Sequence, residues 1–163
     1  MGHSSNSPSY AHVRCTTSSA TTAIGTSGND YIFNTGHGSV VFDKEISGDI
    51  TWDQDVGTFS FRHDGIYHVV VSAITSQVTS DQIQTTTFHV NGVAKYDGRV
   101  FVDKDMDPVE TTHQRIISIS AGDVLHVKTS TAGDTMGIEV GTSITITEIT
   151  SGVYASSTVT TAG

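Results

Sequence analysis

Eight histidines, at positions 3, 12, 37, 63, 68, 89, 113 and 126, are the side chains most able to do chemistry at neutral pH. An imidazole can titrate there, act as a general base or ligate a metal. Their spacing favours none of these roles. The chain has no His-x-His and no HExxH sequence, and an HExxH site needs both imidazoles on one face of a helix. His63 and His68 are five residues apart, across an expected turn and strand. The set reads as surface or interface histidines in preference to metal ligands. If His68 and His126 lie in a subunit interface, their protonation near pH 6 would weaken the assembly.

Carboxylates offer a second candidate. Asp103, Asp105 and Asp107 alternate in the segment FVDKDMDP. In extended chain, alternate side chains point the same way and could gather a hard cation, so calcium is the candidate ligand here. An EF-hand loop counted from Asp103 needs Gly at its sixth position and Glu at its twelfth. The sequence has Pro108 and Gln114 there, so it is not an EF-hand, and the segment reads as a solvated acidic loop in preference to a calcium site. No further cofactor is expected.

No catalytic arrangement is legible in the sequence. Ser39 lies in GHGSV, without the second glycine of a nucleophile elbow. Asp53 and Asp55 follow Trp52 in an expected turn, whereas a glycosidase sets its carboxyls across a cleft. No glycine-rich phosphate loop occurs, and no N-x-S/T sequon occurs, Asn6-Ser7 being followed by Pro8. The expectation is a protein that is not an enzyme.

The elements that hold these residues are legible in residue choice. Among 163 residues, Thr occurs 25 times, Ser 20, Val 18 and Ile 14, while Leu occurs once, at Leu125. Leucine fills helix stripes; Val, Ile and Thr suit pleated, half-buried surfaces. With 16 glycines for turns, the chain reads as all-β. Charged residues make up 15% and the net charge is −9. With 8 Lys and Arg and no basic run, a nucleic-acid partner is not expected. No apolar run approaches the ~20 residues of a membrane-spanning helix, so no membrane insertion is expected. Met1 to Asn6 lack the basic and apolar regions of a secretory signal. One cysteine, Cys15, excludes an internal disulfide framework. Either the chain stays in a reducing compartment or oligomerisation supplies its stability.

Strand signals recur at short intervals. They fall at residues 10–17, 40–42, 50–52, 57–62, 66–74, 84–101, 113–120, 124–130 and 142–150. Residues 66–74 are mostly apolar on both faces, as in a central strand covered on both sides or covered by a neighbouring subunit. Asn91-Gly92 takes the positive φ angles of a two-residue hairpin turn. Residues 18–29, rich in Ser, Thr and Gly, read as a long loop or an exposed edge. Eight to ten such strands suit a sandwich or jelly roll. The expected organisation is a polar arm, strand and loop over 1–30, a jelly-roll domain over 31–150, and a polar tail over 151–163. Phe59, Phe61 and Tyr67 read as sandwich core, and Trp52 as the aromatic most exposed for a glycan.

The order of these blocks resembles that of C1q-like and TNF-like domains. Gly57-Thr58-Phe59-Ser60-Phe61, followed by Asp64-Gly65-Ile66-Tyr67-His68-Val69, is similar to their first aromatic block. Phe88-His89-Val90-Asn91-Gly92 resembles their central hairpin, Ser120-Ala121-Gly122-Asp123-Val124-Leu125-His126-Val127 the following block, and Thr142-Ser143-Ile144-Thr145-Ile146 the closing strand. The chain departs from the pattern in lacking a glycine after the last strand and in having Val69 where Phe is usual. The resemblance implies a two-sheet antiparallel jelly roll, assembled as a homotrimer and without enzymatic activity. Phe59, Phe61, Tyr67, His68, Val70 and His126 are then the core and interface candidates, and Asn91 and Gly92 the turn.

With neither a signal nor a collagenous stalk visible, the leading functional expectation is a virion structural protein made in the host cytoplasm. It would be a trimeric capsid decoration, spike or fibre head. Its partners would be itself, other virion proteins through the terminal arms, and a host surface receptor or glycan. The alternative is a C1q/TNF-like adhesion or ligand-binding head on a bacterial cell surface or spore.

Overall fold

A computed structural model describes residues 8–17, 23–24, 31–35, 40–76, 81–105, 108–131 and 136–151, and every regular element among them is a β-strand. In chain order these are β1 (Tyr10–Thr17), β2 (Ala23–Ile24), β3 (Val41–Ser47), β4 (Ile50–Asp53), β5 (Thr58–Phe61), β6 (Gly65–Ser76), β7 (Gln82–Val90), β8 (Val93–Val102), β9 (Val109–Ile119), β10 (Val124–Thr131), β11 (Met136–Ile138) and β12 (Ser143–Ser151). They form two antiparallel sheets. The first runs β3-β1-β12-β6-β9, with the short β11 and β2 continuing beside the end of β6. The second runs β4-β5-β10-β7-β8. Neighbours in space are mostly distant in sequence, as in a jelly roll.

Period-two patterning decides which faces meet. On β6, Tyr67, Val69, Val71 and Ala73 point inward and are buried, as are Ala11, Val13 and Cys15 of β1 and Ile144 and Ile146 of β12. Opposite them the second sheet buries Phe59, Phe61, Phe88, Leu125 and Val127. Phe61 and Tyr67 meet across the gap with ring centroids 4.8 Å apart. Each fully buried side chain of this size contributes roughly 1.5–3 kcal/mol by leaving water.

Threonine enters this core as well. Gln84 is fully buried. Its Oε1 accepts from Thr75 Oγ1 at 3.1 Å, and its Nε2 donates to Thr129 Oγ1 at 3.2 Å and Thr111 Oγ1 at 3.5 Å. A buried amide left without partners would cost about 1–3 kcal/mol. The hydroxyls of three different strands, β6, β9 and β10, supply them.

At Asn91 and Gly92 φ is 53° and 78°, so both turn residues are left-handed, as a two-residue hairpin requires. Asn91 also holds the turn between β9 and β10: its Nδ2 donates to Asp123 Oδ1 at 2.8 Å, and its Oδ1 accepts from the Val124 amide at 2.9 Å.

Several expectations change. A boundary at residue 31 would put β1 outside the jelly roll, yet β1 lies inside the first sheet between β12 and β3. The segment 18–29 contains the two-residue β2; the remainder of it, with residues 1–7 and 152–163 of the terminal arms, lies outside the described residues. The strand β11 carried too few residues to register as a pattern. At the aspartates, β8 ends at Val102 and the chain turns at 104–105, where Asp103 Oδ1 accepts the Asp105 amide at 2.9 Å. Asp107 lies outside the described residues. Trp52 is half-buried, not a free platform. It stacks on Phe59 and donates through Nε1 to the Phe33 carbonyl at 3.1 Å.

Candidate functional site

The outer face of the first sheet is built from the alternate residues of β6, β9, β12 and β1. From β6 come Ile66, His68, Val70 and Ser72, all half-buried. Register sets His68 between Ile116 of β9 and Thr147 of β12, and Val70 between Gln114 and Thr145. Ile116 is 63% exposed and Ile149 of β12 54% exposed. The polar groups among them bond to each other. His68 Nε2 lies 2.8 Å from Gln114 Oε1, His12 Nδ1 3.0 Å from Thr145 Oγ1, and Ser72 Oγ donates to Glu110 Oε1 at 2.6 Å.

Charge is nearly missing from this face. β6 has no Lys, Arg, Asp or Glu, and β12 has only Glu148, which turns inward. On β9, Glu110 is the outward charge, and Arg14, Asp43 and Glu45 gather at the β1 and β3 edge. An apolar patch without charge at its centre and polar at its rim is what a protein interface core has.

Among the described residues, a cluster of ion pairs lies elsewhere, at one end of the sandwich. His63, in the turn between β5 and β6, has Nδ1 2.8 Å from Asp49 Oδ2 and Nε2 2.9 Å from Glu148 Oε2. An imidazole can donate to both carboxylates only when protonated. Burial pulls the His63 pKa down, but the hydrogen bonds and charges of Glu148 and Asp49 outweigh it and leave the group above its ordinary value. Glu148 Oε2 also accepts the Ser9 amide at 3.2 Å and the Tyr67 hydroxyl at 3.4 Å. Burial, then the Glu148 carboxylate, pushes the Tyr67 phenol up. Ser9 is itself buried, and its Oγ accepts the Asp49 amide at 3.0 Å. No hydroxyl here is both exposed and held by a base, so the cluster fastens the start of β1 to β12 and has no nucleophile to activate.

A groove of about 650 Å³ runs between the β3 and β4 edges, lined by Tyr10, Lys44, Glu45, Ile46, Ile50, Thr51 and Trp52. No histidine lines it. Among the described residues no group of three or more His, Cys, Asp or Glu side chains is arranged to hold a metal ion.

Of the site candidates, Phe59, Phe61 and Tyr67 are buried between the sheets, and His68 and Val70 are half-buried on the outer face of the first sheet. His126 is 7% exposed and belongs to the second sheet, paired with His89. The two histidines considered for one interface therefore occupy opposite sheets. Sequence reading passed over the His63–Glu148 pair. Glu148 as the lone charge in an otherwise neutral strand was the signal that could have found it.

No family model and no curated protein matches the chain. Solved structures do. Murine APRIL at pH 5.0 superposes with a TM-score of 0.58 and 13% identity, over 87% of this chain and 99% of that one. Eiger TNF from S. frugiperda gives a TM-score of 0.60 and 16% identity, over 87% of this chain and 93% of that one. Identity this low speaks to architecture alone, and that architecture is a two-sheet all-β sandwich: the chain has the TNF-like jelly-roll fold.

Proposed function

We propose that the chain is a non-enzymatic head that works as a homotrimer, and that it is a structural component of a virus particle surface: a decoration, spike or fibre head. The observation that carries the first part is the outer face of the first sheet, where Ile66, Val70, Ile116 and Ile149 surround hydrogen-bonded His68 and Gln114 with almost no charge. A second and third copy on this face would remove those isoleucines from water and close the assembly around a threefold axis, leaving no face open to run on into fibres. The Ser- and Thr-rich, cysteine-poor composition supports the virion placement, as does the resemblance of the motif order to trimeric heads.

Molar mass by light scattering tests assembly. Three times the chain mass is expected at micromolar concentration, and Val70→Lys should give a folded monomer, because a buried unpaired ammonium costs several kcal/mol. A parent that stays monomeric overturns the reading. Placement is tested by immunogold labelling of intact particles. Label on the particle surface is expected; label confined to the envelope of uninfected cells would move the protein to a bacterial surface.

A further inference from the structure

The second sheet contains a group that neither its stability nor the proposed assembly uses. His126 of β10 is 7% exposed, and both of its ring nitrogens lack a hydrogen-bond partner. His89, its register partner on β7, has an unpartnered Nδ1, and the two ring centroids are 5.4 Å apart. Buried polar atoms are rarely left this way.

What covers His126 is the segment 31–35. It runs beside β10, bridged at Tyr31 to Lys128, and the Ile32 amide donates to the Val127 carbonyl at 3.1 Å. This brings the Tyr31 ring to 4.6 Å from the His126 ring, and Lys128 Nζ lies 5.0 Å from the centre of the same Tyr31 ring. His126 thus meets an aromatic ring on one side, a second imidazole on the other and an ammonium two residues along its own strand. On β5 its register partner is Thr58. By register the carboxylates of that face, Asp53 of β4 and Asp97 of β8, are each two strands away and exposed.

We propose that the His89–His126 pair is an acid-released latch, which seats Tyr31 and the segment 31–35 against β10 while both rings are neutral and lets them go when His126 is protonated. A proton on His126 would be a buried charge with no acceptor, facing Lys128 and His89. Attraction to the Tyr31 ring offsets only part of what an unpaired buried charge costs. Moving Tyr31 aside lets water reach the ring. Burial, then His89, then Lys128, hold His126 down to about 4, and burial followed by Lys128 lowers His89, against a hydrogen bond to the Gly92 backbone. The linkage sign follows: the released form binds the proton more tightly, so release grows as pH falls from about 6.5 towards 4. Two imidazoles without a third donor leave a transition metal short of ligands, so the proton is the ligand this site fits.

Amide hydrogen exchange of the full chain tests the latch. Between pH 7.5 and 5, protection of the Ile32 amide, corrected for intrinsic exchange, should fall on the order of 30-fold, while amides of β6 and β12 keep theirs. His126→Gln, which cannot titrate, should remove the pH dependence. Retained Ile32 protection at pH 5 in the parent overturns the proposal, as does an unchanged dependence in the variant. If His126→Gln does not fold, the His126 ring signals of the parent decide by NMR. Titration well below 6.5 together with Ile32 exposure supports the latch, and titration near 6.5 with the segment still seated overturns it.

Discussion

His63 Nε2 lies 2.9 Å from Glu148 Oε2, which joins the turn before β6 to the last strand across 85 positions of sequence. The same carboxylate oxygen accepts the Ser9 amide, so the start of β1 is fastened at this point. Because His63 is raised above its ordinary value by Glu148 and Asp49 in spite of burial, its contribution is full below the unfolded pKa near 6.5 and is lost as pH rises through the folded one. His63→Gln should cost about 1 kcal/mol at pH 6, a value kept low by the ring's partial exposure, and less at pH 9. Urea unfolding of parent and variant at both values checks this. An equal loss at pH 6 and pH 9 would count against the ion pair.

Gly98 of β8 faces His113 of β9 at the edge where the two sheets approach. A Cβ on Gly98 would overlap the His113 imidazole. Gly98→Ala is therefore expected to lower stability by about 1–3 kcal/mol. His113→Ala alone removes the ring, and in the double variant much of the Gly98→Ala loss should vanish. A double-mutant cycle on thermal unfolding measures the coupling, and additive losses would contradict the contact.

Gln84→Leu keeps the volume of a buried side chain but takes the acceptor from Thr75 Oγ1 and one donor from Thr129 Oγ1, which keeps its bond to Thr86 Oγ1 at 3.2 Å. The expected loss is about 1–3 kcal/mol, read as a lower urea midpoint with an unchanged slope. A neutral result would mean that the threonine hydroxyls satisfy one another once the amide is gone.

At Gly92 an added Cβ meets nothing within 4 Å, so any cost there comes from its φ of 78° alone. Gly92→Val should lose about 1–3 kcal/mol, and Gly92→Asn, which tolerates the left-handed region, much less. Equal melting temperatures for the two variants would remove backbone strain as the cause.

Near-absence of leucine, abundance of Val, Ile and Thr, and period-two alternation sufficed for an all-β chain, because side-chain direction in a strand depends only on the strand itself. The Asn91-Gly92 turn was legible for the same local reason. The inward Phe59, Phe61 and Tyr67 followed from alternation next to recognisable turns. What needed the tertiary structure was every relationship between distant residues. Whether His68 and His126 share a face depends on which sheet each strand joins. Asp49, His63 and Glu148 meet only because β12 runs beside β6. β1 belongs to the domain because it is held between β3 and β12, the last strand. Burial of Trp52 depends on Phe33 and Phe59 from other segments. Pairing across a jelly roll is decided by how two whole sheets cover each other's apolar faces, and that is a property of the packed chain that no short window contains.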